Sequence, residues 1–222
     1  MMKRALLLNA LIVLSCAFAV AQAAGGNSQL EKVLDEMDKA AAGFKTAQAD
    51  FVWDQYTKVV DDHDNQKGTI YFRREPKGVQ MAADITSPAK KYVLYTGNTV
   101  KVYQSGIGQV NQYDVGKNKS DIESFMVLGF GGGGHDLLKS FDVKYGGTEK
   151  IGNVEAQKLE LTPRSASLRN NFNRIVLWID PATGLSVQQQ LFSPSGDYRL
   201  AKYSNLKRNE KIADTVFKLP KA

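Results

Sequence analysis

Residues 49–56 read ADFVWDQY, and this stretch decides the fold because the sequence period changes to two within it. Phe51 and Trp53 alternate with Asp50 and Asp54, so apolar and acidic side chains point to opposite faces of an extended strand. Similar short stretches continue to residue 206, separated by turn sequences rich in Gly, Pro and Asn. Serial β-hairpins of this kind predict an antiparallel meander and argue against strand–helix–strand units.

The meander is predicted to contain about 10 or 11 strands within a single domain. The expected strands are residues 49–56, 68–74, 79–85, 92–96, 99–104, 109–115, 142–146, 154–161, 173–180, 185–192 and 198–206. A polar turn is expected at residues 61–67, between the first two strands. The fold class is therefore expected to be mainly β with few helices (α+β).

Helical segments are expected at the start of this meander and midway along it. Ser28 and Glu31 have the spacing of a capping box, so residues 29–42 are predicted to form an amphipathic helix. A second helix is expected at residues 121–128 and a third at 135–140. Glycines occupy positions 129 and 131–134 between them, which favours a mobile connection.

The N-terminus has the features of an export signal. Lys3 and Arg4 precede an apolar run at residues 5–20 that is short for a membrane span of ~20 residues. Residues 1–23 are therefore predicted to be a cleaved signal peptide, and residues 24–222 a periplasmic domain. The alternative is a membrane-anchored lipoprotein acylated at Cys16. If residues 1–23 are removed, the mature chain has no cysteine, which excludes disulfides and thiol catalysis.

Charge and motifs exclude several classes of function. The net charge of +6 suits an anionic membrane surface, but no basic–aromatic motif indicates nucleic acid. The glycines at 129–134 fit a dinucleotide-binding pattern only formally, because no strand precedes them. The run from Asp61 to Asp64, which includes His63, could bind a divalent ion at the surface, but four residues on one turn seldom complete a coordination shell. His135 and Asp136 could mimic a catalytic pair, but no activated nucleophile accompanies them. We therefore predict no metal, no cofactor and no enzymatic activity.

Four stretches of sequence together carry a family resemblance. They are FKTAQADF at residues 44–51, GTIYFRREP at 68–76, YVLYTGNTVKVY at 92–103 and DTVFKLP at 214–220. In this order, behind an export signal, they resemble the LolA family of periplasmic lipoprotein carriers. The resemblance covers nearly all of the mature chain.

This resemblance implies an incomplete, unclosed antiparallel β-barrel of about 11 strands, covered by short helices that form a lid over an apolar cavity. In the family, the cavity shelters the acyl chains of lipoproteins that move from the inner to the outer membrane. The implied partners are lipoproteins or other acylated lipids, an inner-membrane releasing transporter and an outer-membrane acceptor. We expect the carrier to be a monomer.

The resemblance also implies an arginine that locks the lid. In the family this arginine lies just before a proline and binds backbone carbonyls of the lid, and the matching residue here is Arg74. Glu75 intervenes between Arg74 and Pro76, so Arg73, or an Arg74 that is paired with Glu75, could fill the role instead. A guanidinium has five donors in a fixed fork, which suits the binding of several carbonyls.

A lipid carrier needs a large apolar concave surface, because each buried CH₂ of an acyl chain contributes roughly 0.8 kcal/mol. We predict that this surface is formed by apolar residues on alternating strand positions and on the segment before the glycines. The predicted lipid-binding residues are Phe51, Trp53, Ile70, Phe72, Leu94, Val102, Phe125, Met126, Leu128, Phe130, Leu161 and Leu177. The alternative for each strand residue is ordinary core packing.

Two other functions of the same fold stay open. One is an outer-membrane-anchored acceptor of lipoproteins, lipidated at Cys16. The other is a lipid-sensing regulatory module that binds a membrane signalling partner.

Overall fold

The computed structural model describes residues 26–76, 78–116, 123 and 127–220. The predicted signal peptide, Cys16 and most of the helix expected at 121–128 lie outside the described residues, as do Phe125 and Met126. Within the described residues, each helix is too short or too polar to cross a membrane.

Eleven antiparallel strands form one sheet, which confirms the predicted fold class. The strands are β1 (Thr46–Thr57), β2 (Asp62–Glu75), β3 (Gly78–Ser87), β4 (Lys91–Thr96), β5 (Thr99–Gln104), β6 (Gln109–Asp114), β7 (Phe141–Ile151), β8 (Val154–Pro163), β9 (Arg174–Asp180), β10 (Leu185–Phe192) and β11 (Tyr198–Arg208). Their order in the sheet is β6-β5-β4-β3-β2-β1-β11-β10-β9-β8-β7. β6 and β7 are its two edges, so the curved sheet does not close into a barrel.

Several helical segments accompany the sheet in the described part of the chain, and Glu123 is the one described helical residue of the segment predicted at 121–128. Helix α1 covers residues 26–42, which confirms the helix predicted at 29–42. Helix α2 (Gly134–Ser140) matches the short helix predicted after the glycines. Helix α3 (Ala166–Arg169) was not predicted from the sequence, and Ser165 caps it by accepting a hydrogen bond from the Leu168 amide. The 3₁₀ turn is Asp214–Phe217.

The prediction of a polar turn at residues 61–67 is wrong, because β2 already begins at Asp62. The first residues of β2 pair with the end of β1, where Thr57 lies opposite Asp62. Nearly all side chains of residues 62–67 are exposed. A hairpin that projects into solvent carries polar residues on both faces, so it lacks the alternation by which a half-buried strand is identified.

Helix α1 fills one half of the concave face of the sheet. Its Val33, Leu34 and Met37 are at most 2% exposed. They pack in one cluster with fully buried residues of β8 and β9, among them Leu177 and Ile179. Burial of each such side chain contributes about 1.5–3 kcal/mol. We call this β7–β10 half, with α1 on it, the helix-covered half.

The other half of the concave face is formed by β1–β4, and there the hydroxyl of Tyr95 in β4 donates a hydrogen bond of 3.1 Å to Glu123, a helical residue. Its apolar side chains include Phe51, Ile70 and Phe72, and they cluster with Phe130 from the connection before α2. We call residues 127–134 the glycine segment, and we call the β1–β4 half of the face the segment-covered half.

The C-terminal segment packs on the convex face of the sheet. Phe217 of the 3₁₀ turn is buried in a cluster with Ala82, Tyr92 and Leu94. The Tyr92 hydroxyl donates a hydrogen bond of 2.5 Å to the carbonyl of Val216. Leu94 therefore points away from the concave face.

Candidate functional site

An apolar cavity of about 330 Å³ lies between the glycine segment and the middle of the concave face. Its wall is built by β1–β4 and β9–β11 together with two residues of the glycine segment. The lining residues are Trp53, Gln66, Ile70, Phe72, Met81, Ile85, Val93, Leu128, Phe130, Ile175, Gln189, Leu191, Arg199, Ala201 and Tyr203. This volume is near the lower end of the ~300–1,000 Å³ typical of ligand pockets.

Five of the residues predicted to bind lipid line this cavity. They are Trp53, Ile70, Phe72, Leu128 and Phe130. Phe51 is not part of the wall, but its ring stacks on that of Trp53, with 4.1 Å between the ring centroids. The alternation in β1 and β2 therefore identified the face on which the cavity lies.

The other predicted lipid-binding residues within the described chain lie elsewhere. Leu161 and Leu177 pack beneath α1 in the helix-covered half, and Leu94 lies on the convex face. Val102 is opposite Val93 in the strand register and half-buried, but it is not part of the cavity wall. Periodicity reports that a side chain is buried, but it does not distinguish a filled interior from a hollow one.

Sequence reasoning missed about half of the apolar wall. Met81, Ile85 and Val93 come from β3 and β4. Leu191, Ala201 and Tyr203 come from β10 and β11, which complete the opposite side of the cavity. Inward-facing positions of the predicted strands β3 and β11 were a usable signal for these residues.

Phe130 is the central side chain of the glycine segment. It is 1% exposed and covers one end of the cavity. Its ring stacks on Phe72 and meets Tyr203 edge-on, with centroid distances of 4.7 Å in both cases. Such aromatic pairs contribute about 0.5–1.5 kcal/mol each beyond their buried area.

Three hydrogen bonds tie backbone carbonyls of the glycine segment to the sheet. Arg74 Nη2 donates to the carbonyl of Gly131 at 2.6 Å. Gln189 Nε2 donates to the carbonyl of Leu128 at 2.5 Å, and the Ser186 amide donates to the carbonyl of Gly129 at 2.8 Å. Gln189 and Ser186 were not singled out from the sequence. The segment is therefore held on both sides of the cavity, by β2 and by β10.

Arg74, and not Arg73, contacts the glycine segment. Arg73 lies on the convex face, where it pairs with Asp214 at 2.5 Å and Glu75 at 3.0 Å. Its guanidinium also covers the ring of Phe217 at 4.2 Å. The extra Glu75 thus pairs with Arg73 and leaves Arg74 available to the segment. The lid-locking function of Arg74 stays a prediction.

The glycines permit close contacts in the position that the structure shows. A Cβ on Gly131 would lie 2.4 Å from the ring of Phe44, and a Cβ on Gly134 would lie 2.2 Å from the carbonyl oxygen of Leu34 in α1. Gly131 also has a φ of +89°, which side-chain-bearing residues rarely adopt. Only glycine therefore lets the segment lie this close to α1 and to Phe44. Its expected mobility stays a prediction.

Arg199 and Tyr203 lie on the same face of β11 and expose surface to the cavity. Burial raises the pKa of Tyr203, and burial lowers the pKa of Arg199. Tyr203 is half-buried, whereas Arg199 keeps an exposed side although neighbouring protein atoms lower its pKa. The Tyr203 hydroxyl donates to Gln189 Oε1 at 3.1 Å, so this amide links Tyr203 to the glycine segment.

Outside the cavity, His135 of α2 bridges two carboxylates of α1. Its Nδ1 lies 2.5 Å from Asp38 and its Nε2 lies 3.1 Å from Glu31. These hydrogen bonds, that of Asp38 first, raise the pKa of His135 above its ordinary value of 6.5. Asp35, Asp38 and His135 also offer ligand atoms within 4.8 Å of one another, a group that the sequence did not reveal. When protonated, the imidazole offsets part of this negative charge and joins α2 to α1.

The cavity wall is mostly apolar. The described lining residues include no serine, cysteine, histidine or carboxylate that would form a nucleophile and base. The buried polar group, Gln189, already has hydrogen-bond partners for its nitrogen and its oxygen. The cavity therefore offers an apolar surface beneath the glycine segment, which a few hydrogen bonds hold in place.

Known proteins of similar structure share this fold. An uncharacterized conserved protein from Thermus thermophilus has 14% sequence identity and a TM-score of 0.55, and the match covers 86% of this chain and 94% of that chain. A chain of the MucA/MucB complex from Pseudomonas aeruginosa has 16% identity and a TM-score of 0.51, with 86% of this chain and 61% of that chain covered. At these identities the likeness shows the fold alone.

A family model extends the comparison to the sequence. No curated protein matches the chain. The model described as "Outer membrane lipoprotein carrier protein LolA" matches residues 42–220, from the end of α1 to the last described residue. The match therefore includes every strand of the sheet and the glycine segment, and the chain belongs to the LolA family.

Proposed function

We propose that this protein is a periplasmic carrier that shelters the acyl chains of lipoproteins, or of a related lipid, between the inner and the outer membrane. The observation that carries the proposal is the apolar cavity beneath the glycine segment. Membership of the LolA family supports it. The proposal includes export by a signal peptide at residues 1–23, and it excludes enzymatic activity.

The energetics of the cavity suit transport. Each CH₂ moved from water into the cavity contributes about 0.8 kcal/mol, so a chain of ten such groups contributes about 8 kcal/mol. That value corresponds to micromolar affinity before any costs are subtracted. Binding of this strength holds cargo in transit and still permits its release.

The glycine segment supplies a gate. The charged hydrogen bond from Arg74 contributes about 1.5–3 kcal/mol, and the two neutral bonds contribute about 0.5–1.5 kcal/mol each. Water replaces part of these bonds when the segment lifts. Because the closed cavity is small, a cargo with several acyl chains requires such an opening.

Release of lipoproteins from spheroplasts tests this proposal. The purified mature chain is incubated with spheroplasts, and lipoproteins in the soluble fraction are measured together with acyl lipids that co-purify with the protein. We expect the protein to bring lipoproteins into solution in complexes with itself. Lipoproteins that stay with the membrane, together with a carrier that holds no lipid, would contradict the proposal.

Two alternatives predict other results. An anchored acceptor would show an acylated N-terminus at Cys16 by intact-mass measurement. A lipid-sensing module is the second alternative, and a chain of the MucA/MucB complex, 61% of which is covered by the match, shows that this fold also occurs in a protein with a binding partner. A sensing module would bind a membrane signalling protein without releasing lipoproteins.

A further inference from the structure

A cation lies at the end of the cavity away from the glycine segment. Phe130 of that segment contacts Tyr203, which is opposite Phe51 in the strand register. Arg199 lines the cavity too, but it is opposite Gln55, four residues further along β1. At about 3.3 Å per residue, this separation is about 13 Å. The cavity is thus covered by aromatic rings at one end and flanked by a guanidinium at the other.

The guanidinium of Arg199 has no carboxylate partner within 4.0 Å among the described residues. Its contacts are a hydrogen bond of 3.4 Å from Nη2 to Gln55 Oε1 and the ring of Trp53, whose centroid is 5.4 Å away. By contrast, Arg73 and Arg164 are both paired with aspartates. Arg199 has five donors and stays charged in proteins, so most of its donors are directed at no protein acceptor.

The surroundings of Arg199 strengthen its interaction with an anion. Desolvation by neighbouring protein atoms lowers its pKa, although the residue as a whole stays exposed to solvent. An anion that binds there recovers part of the lost solvation, and a carboxylate or phosphate can accept two parallel hydrogen bonds from the guanidinium.

One acid on the concave face near this end limits the charge of the ligand. Asp64 is opposite Gln55 on the other side of β1 from Arg199, so two strand spacings of about 4.8 Å separate their backbones. Its carboxylate accepts a hydrogen bond from Gln66 at 3.0 Å. A second negative charge on the ligand would be repelled by Asp64, which favours a head group with one negative charge.

We propose that the cavity binds acyl lipids with a singly charged anionic head group, and that Arg199 holds this head group while the chain lies against Ile70, Ile85 and Ala201. The proposal rests on the proposed function, because it names the chemical class of the carried lipid. The head group is a carboxylate or a phosphate diester, and fatty acids and phospholipids are its two sources.

Binding of matched acidic and neutral ligands tests this proposal on the unmodified mature chain. Dodecanoic acid is compared with dodecanol, and phosphatidylglycerol with diacylglycerol of the same acyl chains, each by competition with a fluorescent acyl probe. We expect the acidic member of at least one pair to bind 10-fold or more tightly, with a preference that weakens as salt is added. The pair that shows the preference identifies the source of the head group.

Variants then assign the preference to Arg199. Arg199→Gln is expected to lose 10-fold or more in affinity for the acidic ligand and to leave the neutral ligand unchanged, and Arg199→Lys is expected to retain part of the preference. Lys202→Gln is the matched control, because Lys202 is an exposed cation of the same strand outside the cavity wall.

Different outcomes reject different claims. Equal affinity for acidic and neutral ligands overturns this inference and leaves the carrier function intact, as does an Arg199→Gln variant that binds both ligands equally poorly. Absence of binding by all four ligands overturns this inference, and it overturns the proposed function as well if lipoproteins also stay with the spheroplasts. The comparison on the unmodified chain decides the matter even if Arg199→Gln does not fold.

Discussion

The two halves of the concave face contain similar apolar side chains but differ in what covers them. The helix-covered half receives Val33, Leu34 and Met37 of α1, and these side chains fill it. The segment-covered half is met by Phe44, Val115 and Phe130, and a cavity of about 330 Å³ remains between it and strands β9–β11. A helix presents large side chains on every turn, whereas a glycine-rich segment brings few. The hollow space therefore lies where the glycine segment, and not α1, faces the sheet.

The largest expected effect contrasts isoleucines of the two halves. Ile179→Ala in the helix-covered half leaves a new void among closely packed neighbours, so we expect a loss of about 4 kcal/mol in the free energy of unfolding. Ile85→Ala, at the cavity wall, enlarges a space that already exists, and we expect a loss of about 2 kcal/mol. Urea denaturation of both variants measures the difference. Equal losses would mean that the segment-covered half is packed as tightly as the other.

The next largest effect concerns the hydrogen bond from Arg74 to the glycine segment. Arg74→Leu removes the charged hydrogen bond to the Gly131 carbonyl, so we expect the closed position to lose about 1.5–3 kcal/mol. Amides of residues 129–134 should then exchange hydrogen at least 10-fold faster, while amides of α1 stay protected. Arg73→Leu is the control, because Arg73 lies on the convex face. Equal exchange in both variants would remove Arg74 from the gate.

A third prediction concerns a substitution that fills part of the cavity. Ala201→Leu places a larger side chain into the cavity, where space is available, so we expect the free energy of unfolding to change by less than about 1.5 kcal/mol. Affinity for an acyl probe should fall about 10-fold, since the cavity loses room for a few CH₂ groups. Probe titration and urea denaturation measure the two effects. Unchanged affinity would show that the probe binds elsewhere.

The smallest effect is the dependence of the α1–α2 contact on pH. The folded state raises the pKa of His135, so the stability that the protonated imidazole contributes is fully present below 6.5 and is lost as the pH rises through the raised value. We expect hydrogen exchange in α2 to quicken over this range, after correction for the intrinsic rate. The His135→Gln variant should show no such step. A step of the same size in both proteins would assign it to another group.

The sheet was predictable because each hairpin has local signals. Alternation and turn residues located all eleven strands, and Ser28 with Glu31 located α1. The start of β2 was missed because its side chains are exposed on both faces. Pairing of β1 with β11 joins residues about 150 positions apart, and no local pattern reports it.

The candidate site was predictable only in part. Strand periodicity identified Ile70 and Phe72 as inward-facing, but it also selected Leu177, which packs beneath α1. Whether an inward residue meets a helix or empty space depends on where α1 and the glycine segment lie, and that is a tertiary property. Gln189 was missed because a single polar residue in an apolar strand gives no sign that it binds a distant carbonyl.

Photolabelling with a diazirine-bearing acyl probe tests the central claim most directly, because the reactive carbon marks the side chains against which the chain lies. We expect labels on the cavity wall, at Ile70, Ile85 and Ala201, and we expect those labels to be lost in the Ala201→Leu variant. Labels confined to the convex face around Leu94, or to the helix-covered half around Leu177, would contradict it.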